Sequence, residues 1–156
     1  MATIAALVVP APSEVDGAVP EPAKRYLQQA QEALHAPDGA TMLAASAVDA
    51  LLKAKGYVEG RLYDRINRAA SDHVITEDMA AWAHHVRLEA NDPRHADPLR
   101  PHATDAQAKQ TVEFAEALAQ FLFVLPARVA RGVKAAGGTP KDKGGPVKRA
   151  KAASVP

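Results

Sequence analysis

Apolar residues recur at helical spacing in five successive stretches of this chain, and no strand-like alternation, internal repeat or phosphate-binding glycine loop appears. Pro20-Glu21-Pro22 opens the first stretch, since prolines and an acid suit a helix N-terminus. Tyr26, Leu27, Ala30, Ala33 and Leu34 then share a stripe, and Pro37-Asp38-Gly39 is expected to end it. A second helix is predicted from about Ala40 to Lys55, with Leu43, Ala47, Leu51 and Ala54 inward and Gly56 as its stop. So short a link predicts an antiparallel hairpin. A shorter helix over about Arg61 to Ala70 turns Leu62, Ile66 and Ala69 inward, and His73-Val74-Ile75 reads as a connector.

Thr76 is a good N-cap, with Glu77 and Asp78 in the first turn against the helix dipole. Met79, Trp82, Ala83, Val86 and Ala90 form the inward face of this fourth helix, so Trp82 is expected in the core. Pro93 is expected to turn the chain before His95. After a proline-rich loop, Thr104-Asp105 starts a long helix with Val112, Ala115, Leu118, Ala119 and Leu122 inward. Phe121 to Leu125 is apolar on every side, which predicts burial within the bundle or at a dimer interface. Pro126 should kink or end the helix, and a basic extension runs to about Lys134. The fold class is all-α, a bundle of about five helices. Residues 1–19 read as a flexible leader, 20–134 as the helical domain and 135–156 as a disordered basic tail.

Composition narrows the core. Apolar residues make up 47% of the 156, yet aromatics only 4%, so close helix approach over alanine must replace large rings. With no cysteine, disulfides and thiolate metal sites are excluded. No apolar run reaches the roughly 20 residues that span a bilayer, and Met1 to Val9 lacks the basic start of a signal peptide. No membrane association and a cytoplasmic location are therefore expected. The net charge of +1 hides an asymmetry, because eight cations from Ala127 onward face Asp142 alone and leave the preceding 126 residues at −6. Such a basic tail suits nucleic acid or an acidic protein partner, or serves only to solvate the chain.

Candidate chemistry gathers between Arg87 and His95. Arg87 and Asn91 are four apart and share a helix face, with His95 four further on. Histidine titrates near neutrality and suits general acid–base work, and Arg87 or Arg94 supplies a cation against developing phosphorane charge. Three readings stand: cleavage of a phosphodiester, phosphate or RNA binding without chemistry, or a polar latch. In the latch Arg87 pairs with Glu89 or Asp92, Asn91 caps the backbone and His95 braces the loop. His84 and His85 are adjacent and point about 100° apart, and His85 with Glu89 is a single pair, so no metal site and no cofactor are expected. Tyr26, Tyr57 and Tyr63 matter only if one reaches Arg87. Lys141, Lys143, Lys148, Arg149 and Lys151, with Arg94, are candidate nucleic-acid contacts.

With these elements placed, the chain resembles the domain-of-unknown-function family 4145, within the wider HEPN-like group of helical bundles. The resemblance covers roughly Pro20 to Arg131. It rests on Pro20-Glu21-Pro22 leading to Tyr26-Leu27, Met42-Leu43-Ala44, Asp49-Ala50-Leu51-Leu52, Leu62-Tyr63-Asp64-Arg65-Ile66, Ile75-Thr76, Trp82-Ala83, Val86-Arg87 and Asn91 to His95. In active HEPN ribonucleases an Arg-polar-x-x-x-His signature faces its copy across a dimer and cleaves RNA without metal. Carried onto Asn91 and His95, that signature puts its arginine at Ala90, where this chain has none. Relatives often carry arginine where this chain has Ala45 and Ser46, and glutamate where it has Asp49. The resemblance therefore implies a homodimeric, non-catalytic interaction or nucleic-acid-sensing module of a bacterial-type protein tied to defence or stress systems. Its alternative is a metal-independent endoribonuclease using Arg87, Asn91 and His95.

Overall fold

The computed structural model describes residues 14–95 and 98–137, apart from the side chains of Asp92, Arg94 and His95. All regular structure among the described residues is helical: α1 (Ala23–Glu32), α2 (Pro37–Ala54), α3 (Leu62–Ser71), α4 (Glu77–His95), α5 (Asp105–Ala119), a π-helical turn (Gln120–Val124) and α6 (Leu125–Ala135). The last three run on without a break, so the bundle has the expected five rods. No helix among the described residues is long and apolar enough to cross a membrane.

Helix α2 is the centre. It packs on α1, α3, α4 and α5, so it is buried on nearly every side rather than along a single stripe. Ala40, Ala44, Ala45, Ala47 and Ala50 are its buried small residues, and they let neighbouring backbones come close where rings are scarce. Leu51 and Leu52 of α2, with Ile66 of α3 and Leu118 of α5, are fully buried, each worth about 2 kcal/mol of transfer free energy. Phe114 on α5 is the largest fully buried side chain.

Several ends follow local chemistry. Thr104 caps α5 through Gln107 N–H (3.1 Å), and the Gln107 side chain accepts from Thr104 N–H (2.9 Å). Thr76 Oγ1 accepts from Met79 N–H. Gly56 follows α2 with φ +99°, the left-handed stop that glycine takes at little cost.

Both misjudged helix ends involve proline. Pro37 starts α2 instead of ending α1, which closes at Glu32. Its missing N–H would have had no helical partner at that position, and Asp38 stays in the first turn. Pro93 does not turn the chain before His95; the α4 backbone stays helical through it. Proline's own φ is helical, and near a helix end the loss is one backbone bond, here toward the Glu89 carbonyl. At Pro126 the same clash is met differently, since the backbone widens into the π turn just upstream.

Burial also departs from the stripes. Val15 and Val19 are buried in the core, so packing begins ahead of Pro20; residues 1–13 and 138–156 lie outside the described chain. Trp82 is not a core residue: it is 40% exposed and leans on Phe114 with ring centres 4.9 Å apart. Ala80, Ala83, Val86 and Ala90 take the inward positions of α4, leaving Trp82 at the edge. The Phe121–Leu125 run divides, with Leu122 and Val124 buried and Phe121 and Leu125 largely exposed.

Candidate functional site

Helices α2, α3 and α4, with the start of α1, border an open groove of about 1330 Å³. Arg87, Ala90 and Asn91 from α4 form one wall. Ala45, Ser46, Asp49 and Lys53 from α2 face them, and Arg61, Tyr63, Asp64 and Arg65 close the α3 side. Two sequence-predicted residues, Arg87 and Asn91, thus line one groove. Positions 87, 91 and 95 follow one another at a turn's interval on a backbone that is helical to His95. The side chains of Arg94 and His95, and all of Lys141, Lys143, Lys148, Arg149 and Lys151, lie outside the described residues.

Lys53, Arg61, Arg65 and Arg87 are the cations of the groove, against Glu21, Asp49 and Asp64. Asp64 is occupied by Arg61 N–H at the start of α3 (2.9 Å). Asp49 Oδ2 pairs with Lys53 Nζ at 2.7 Å, and Oδ1 stands 3.3 Å from Arg65 Nη1, within ion-pair range but without hydrogen-bond alignment. Arg65 is only 8% exposed. It lies on the inward side of α3 beside Ile66, a cation on an apolar face, and that anomaly was its signal in the sequence.

Arg87 takes no carboxylate partner among the described residues. Of the two expected partners, Glu89 is engaged elsewhere, its Oε2 accepting from the buried Thr111 hydroxyl at 2.8 Å and its Oε1 3.3 Å from His85 Nε2, and the Asp92 side chain lies outside the described residues. Instead the Arg87 guanidinium stands over the Tyr63 ring, 5.4 Å from its centre. Tyr63 is therefore the tyrosine that reaches Arg87, whereas Tyr57 donates to Asp72 Oδ2 (2.9 Å). Tyr63 also touches His84, ring centres 4.9 Å apart, whose Nε2–H donates to Asn67 Oδ1 at 3.0 Å. Burial, and then the Arg87 charge, hold the His84 pKa below its ordinary 6.5.

Four buried side-chain atoms among the described residues have no hydrogen-bond partner: Asp49 Oδ1, Arg65 Nε, Arg87 Nε and His84 Nδ1. All four belong to the groove or to the Tyr63–His84 contact behind it. Native interiors leave few such atoms unpaired, so their concentration in one place makes this groove the candidate site. No described histidine lines the groove itself, and no group of three His, Cys, Asp or Glu side chains among the described residues is placed to hold a metal ion.

A family model described as "Domain of unknown function (DUF4145)" matches residues 28–135 of this chain, a span that includes every α2, α3 and α4 residue of the groove. No curated protein and no solved structure matches it.

Proposed function

We propose that this chain, which belongs to the DUF4145 family, is a non-catalytic HEPN-like module that binds RNA or another phosphate-bearing strand in the α2–α3–α4 groove. The reading rests on one observation above the others: Arg65 and Arg87 flank the same groove, and each keeps a guanidinium Nε without an acceptor. Arginine forks match phosphate oxygens, and an anion beside them supplies the acceptors that the protein does not. The groove is larger than a compact small-molecule pocket of up to about 1,000 Å³, which suits an extended ligand. Tyr63, half exposed on its rim with Arg87 over its ring, leaves its edge open to a base. In this reading Arg94 and the tail cations Lys141, Lys143, Lys148, Arg149 and Lys151 add sequence-independent phosphate contacts, and the working unit is a cytoplasmic homodimer of a bacterial-type defence or stress system.

Anisotropy of a labelled single-stranded RNA, titrated over a range of salt in EDTA, tests the proposal. Wild type should bind with a clear salt dependence. Arg87→Gln should weaken binding and lower the slope of log affinity against log salt by about 0.7, the share of one phosphate contact to a single strand. Equal binding by wild type and Arg87→Gln would remove the groove from the account.

A second reading, metal-independent RNA cleavage by Arg87, Asn91 and His95 across a two-fold interface, is favoured by the unbroken helical backbone from Arg87 to His95. It predicts cleavage in EDTA that His95→Ala abolishes while the helical content is unchanged. Sedimentation of wild type would give the oligomeric state that both readings use.

A further inference from the structure

Among the described residues helix α6 buries none of its side chains, and the helical segment it packs on to any extent is the π turn from which it grows. It continues the rod of α5 without a break, so nucleation is already met, but Leu125, Val129 and Val133 stay exposed as apolar surface that a partner would cover. Its side chains are already sorted for one. At about 100° per residue, Leu125, Pro126, Val129, Ala130, Gly132 and Val133 fall on one arc. Arg128 and Lys134 stand at the two edges and Arg131 behind. Val129 is 55% exposed, and Phe121 one turn before Leu125 extends the apolar line back into the π turn.

That line is concave at its start. Val74, Phe121, Leu122, Leu125, Pro126 and Val129 enclose a hollow of about 390 Å³ that is almost wholly apolar. Lys55 stands at its rim with its ammonium 4.5 Å from the centre of the Phe123 ring. Every charged residue between Gln120 and Gly137 is basic. A second copy laid α6 against α6 would set these cations against their own kind, which disfavours self-pairing.

We infer that the α6 face and its hollow form a docking surface for an amphipathic helix of a partner protein, one with a large apolar side chain for the hollow and Asp or Glu along its edges. Contact runs in the helix-in-groove manner, with apolar anchors one turn apart carrying affinity. Acidic flanks meeting Arg128, Lys134 and Lys55 set orientation and partner choice. This surface involves none of the groove residues, so it stands or falls apart from RNA binding.

The test uses the full chain and two fluorescein-labelled synthetic helices that share a leucine stripe, one with glutamate on its polar positions and one with lysine. Anisotropy should show saturable binding of the glutamate helix and little of the lysine helix. Val129→Asp, at a position already more than half exposed, should keep the thermal melt and weaken the glutamate helix about tenfold or more, the effect of losing one apolar anchor. Arg128→Glu should narrow the preference for glutamate over lysine. Indifference to Val129→Asp, or equal binding of both helices, overturns the inference. So does binding to phosphatidylserine vesicles with neither peptide bound, or a wild-type dimer in sedimentation that Val129→Asp dissociates.

Discussion

The Asp49–Arg65 pair is a charge couple with one member almost sealed from water, and its two ends should respond very differently to removal. Arg65 is 8% exposed, while the Asp49 side chain keeps 24% of its exposure and a second partner in Lys53. Asp49→Ala strands a buried guanidinium whose Nε already lacks an acceptor. Breaking a buried pair this way costs about 3–5 kcal/mol when both members are dry and aligned. Here the contact is 3.3 Å without good alignment and the groove admits water, so about 2 kcal/mol is expected. Arg65→Met instead removes the buried charge and leaves Asp49 to Lys53, so its cost should stay below about 1 kcal/mol. The double variant should resemble Arg65→Met alone, giving a coupling energy of about 1–2 kcal/mol. Urea unfolding followed by Trp82 fluorescence, with far-ultraviolet dichroism as a second probe, measures all four corners. Trp82 is the only tryptophan and rests on the core ring of Phe114, so it reports loss of packing directly. An Asp49→Ala variant within about 0.5 kcal/mol of wild type, the range of an unremarkable surface change, would refute the reasoning. So would an Arg65→Met variant as unstable as Asp49→Ala.

Two further outcomes follow from the same surroundings. The fold lowers the His84 pKa, so it favours the neutral ring, and the unfolded chain binds the proton more readily at acidic pH. That contribution to stability is present above about pH 6.5 and is lost as pH falls through the folded value. Urea midpoints taken between about pH 7.5 and pH 5 should drop more for wild type than for His84→Gln, and parallel profiles would contradict it. Gly60→Ala should destabilise by about 1–2 kcal/mol, because Gly60 sits at φ +77° and a Cβ there would come within 2.9 Å of Asp64 Oδ2, the acceptor at the start of α3. Thermal melts of the two proteins decide it, and an unchanged midpoint would show that the turn yields freely.

Much of the scaffold was readable from local rules. Thr76 as a cap, Thr104-Asp105 as a helix start, Gly56 as a stop and the apolar spacing of α5 each depend on a few neighbouring residues, and each is found where it was expected. Proline was readable only as a boundary. The residue itself does not say whether it opens a helix, as Pro37 does, or is carried inside one, as Pro93 is. Trp82 was misjudged because a helix face has edges, and which residue falls at an edge depends on where α5 lies against α4.

The site was readable in half. Arg87 and Asn91 announced themselves by spacing on one helix, and the structure keeps them on one groove wall. Asp49 and Lys53 did not, Arg65 showed only as a cation on an apolar face and Tyr63 only as one tyrosine of three, since all four belong to two other helices and no sequence interval relates them to Arg87. Local sequence set where most helices lie, several of their caps and the sorting of apolar from polar positions, because helical periodicity and capping act over a turn or two of chain. Packing between helices set which polar side chains meet, which one is buried with a charge to satisfy and which face of α6 stays exposed among the described residues. Those outcomes depend on how helices cross and how closely alanine lets them approach, and no single helix contains that information.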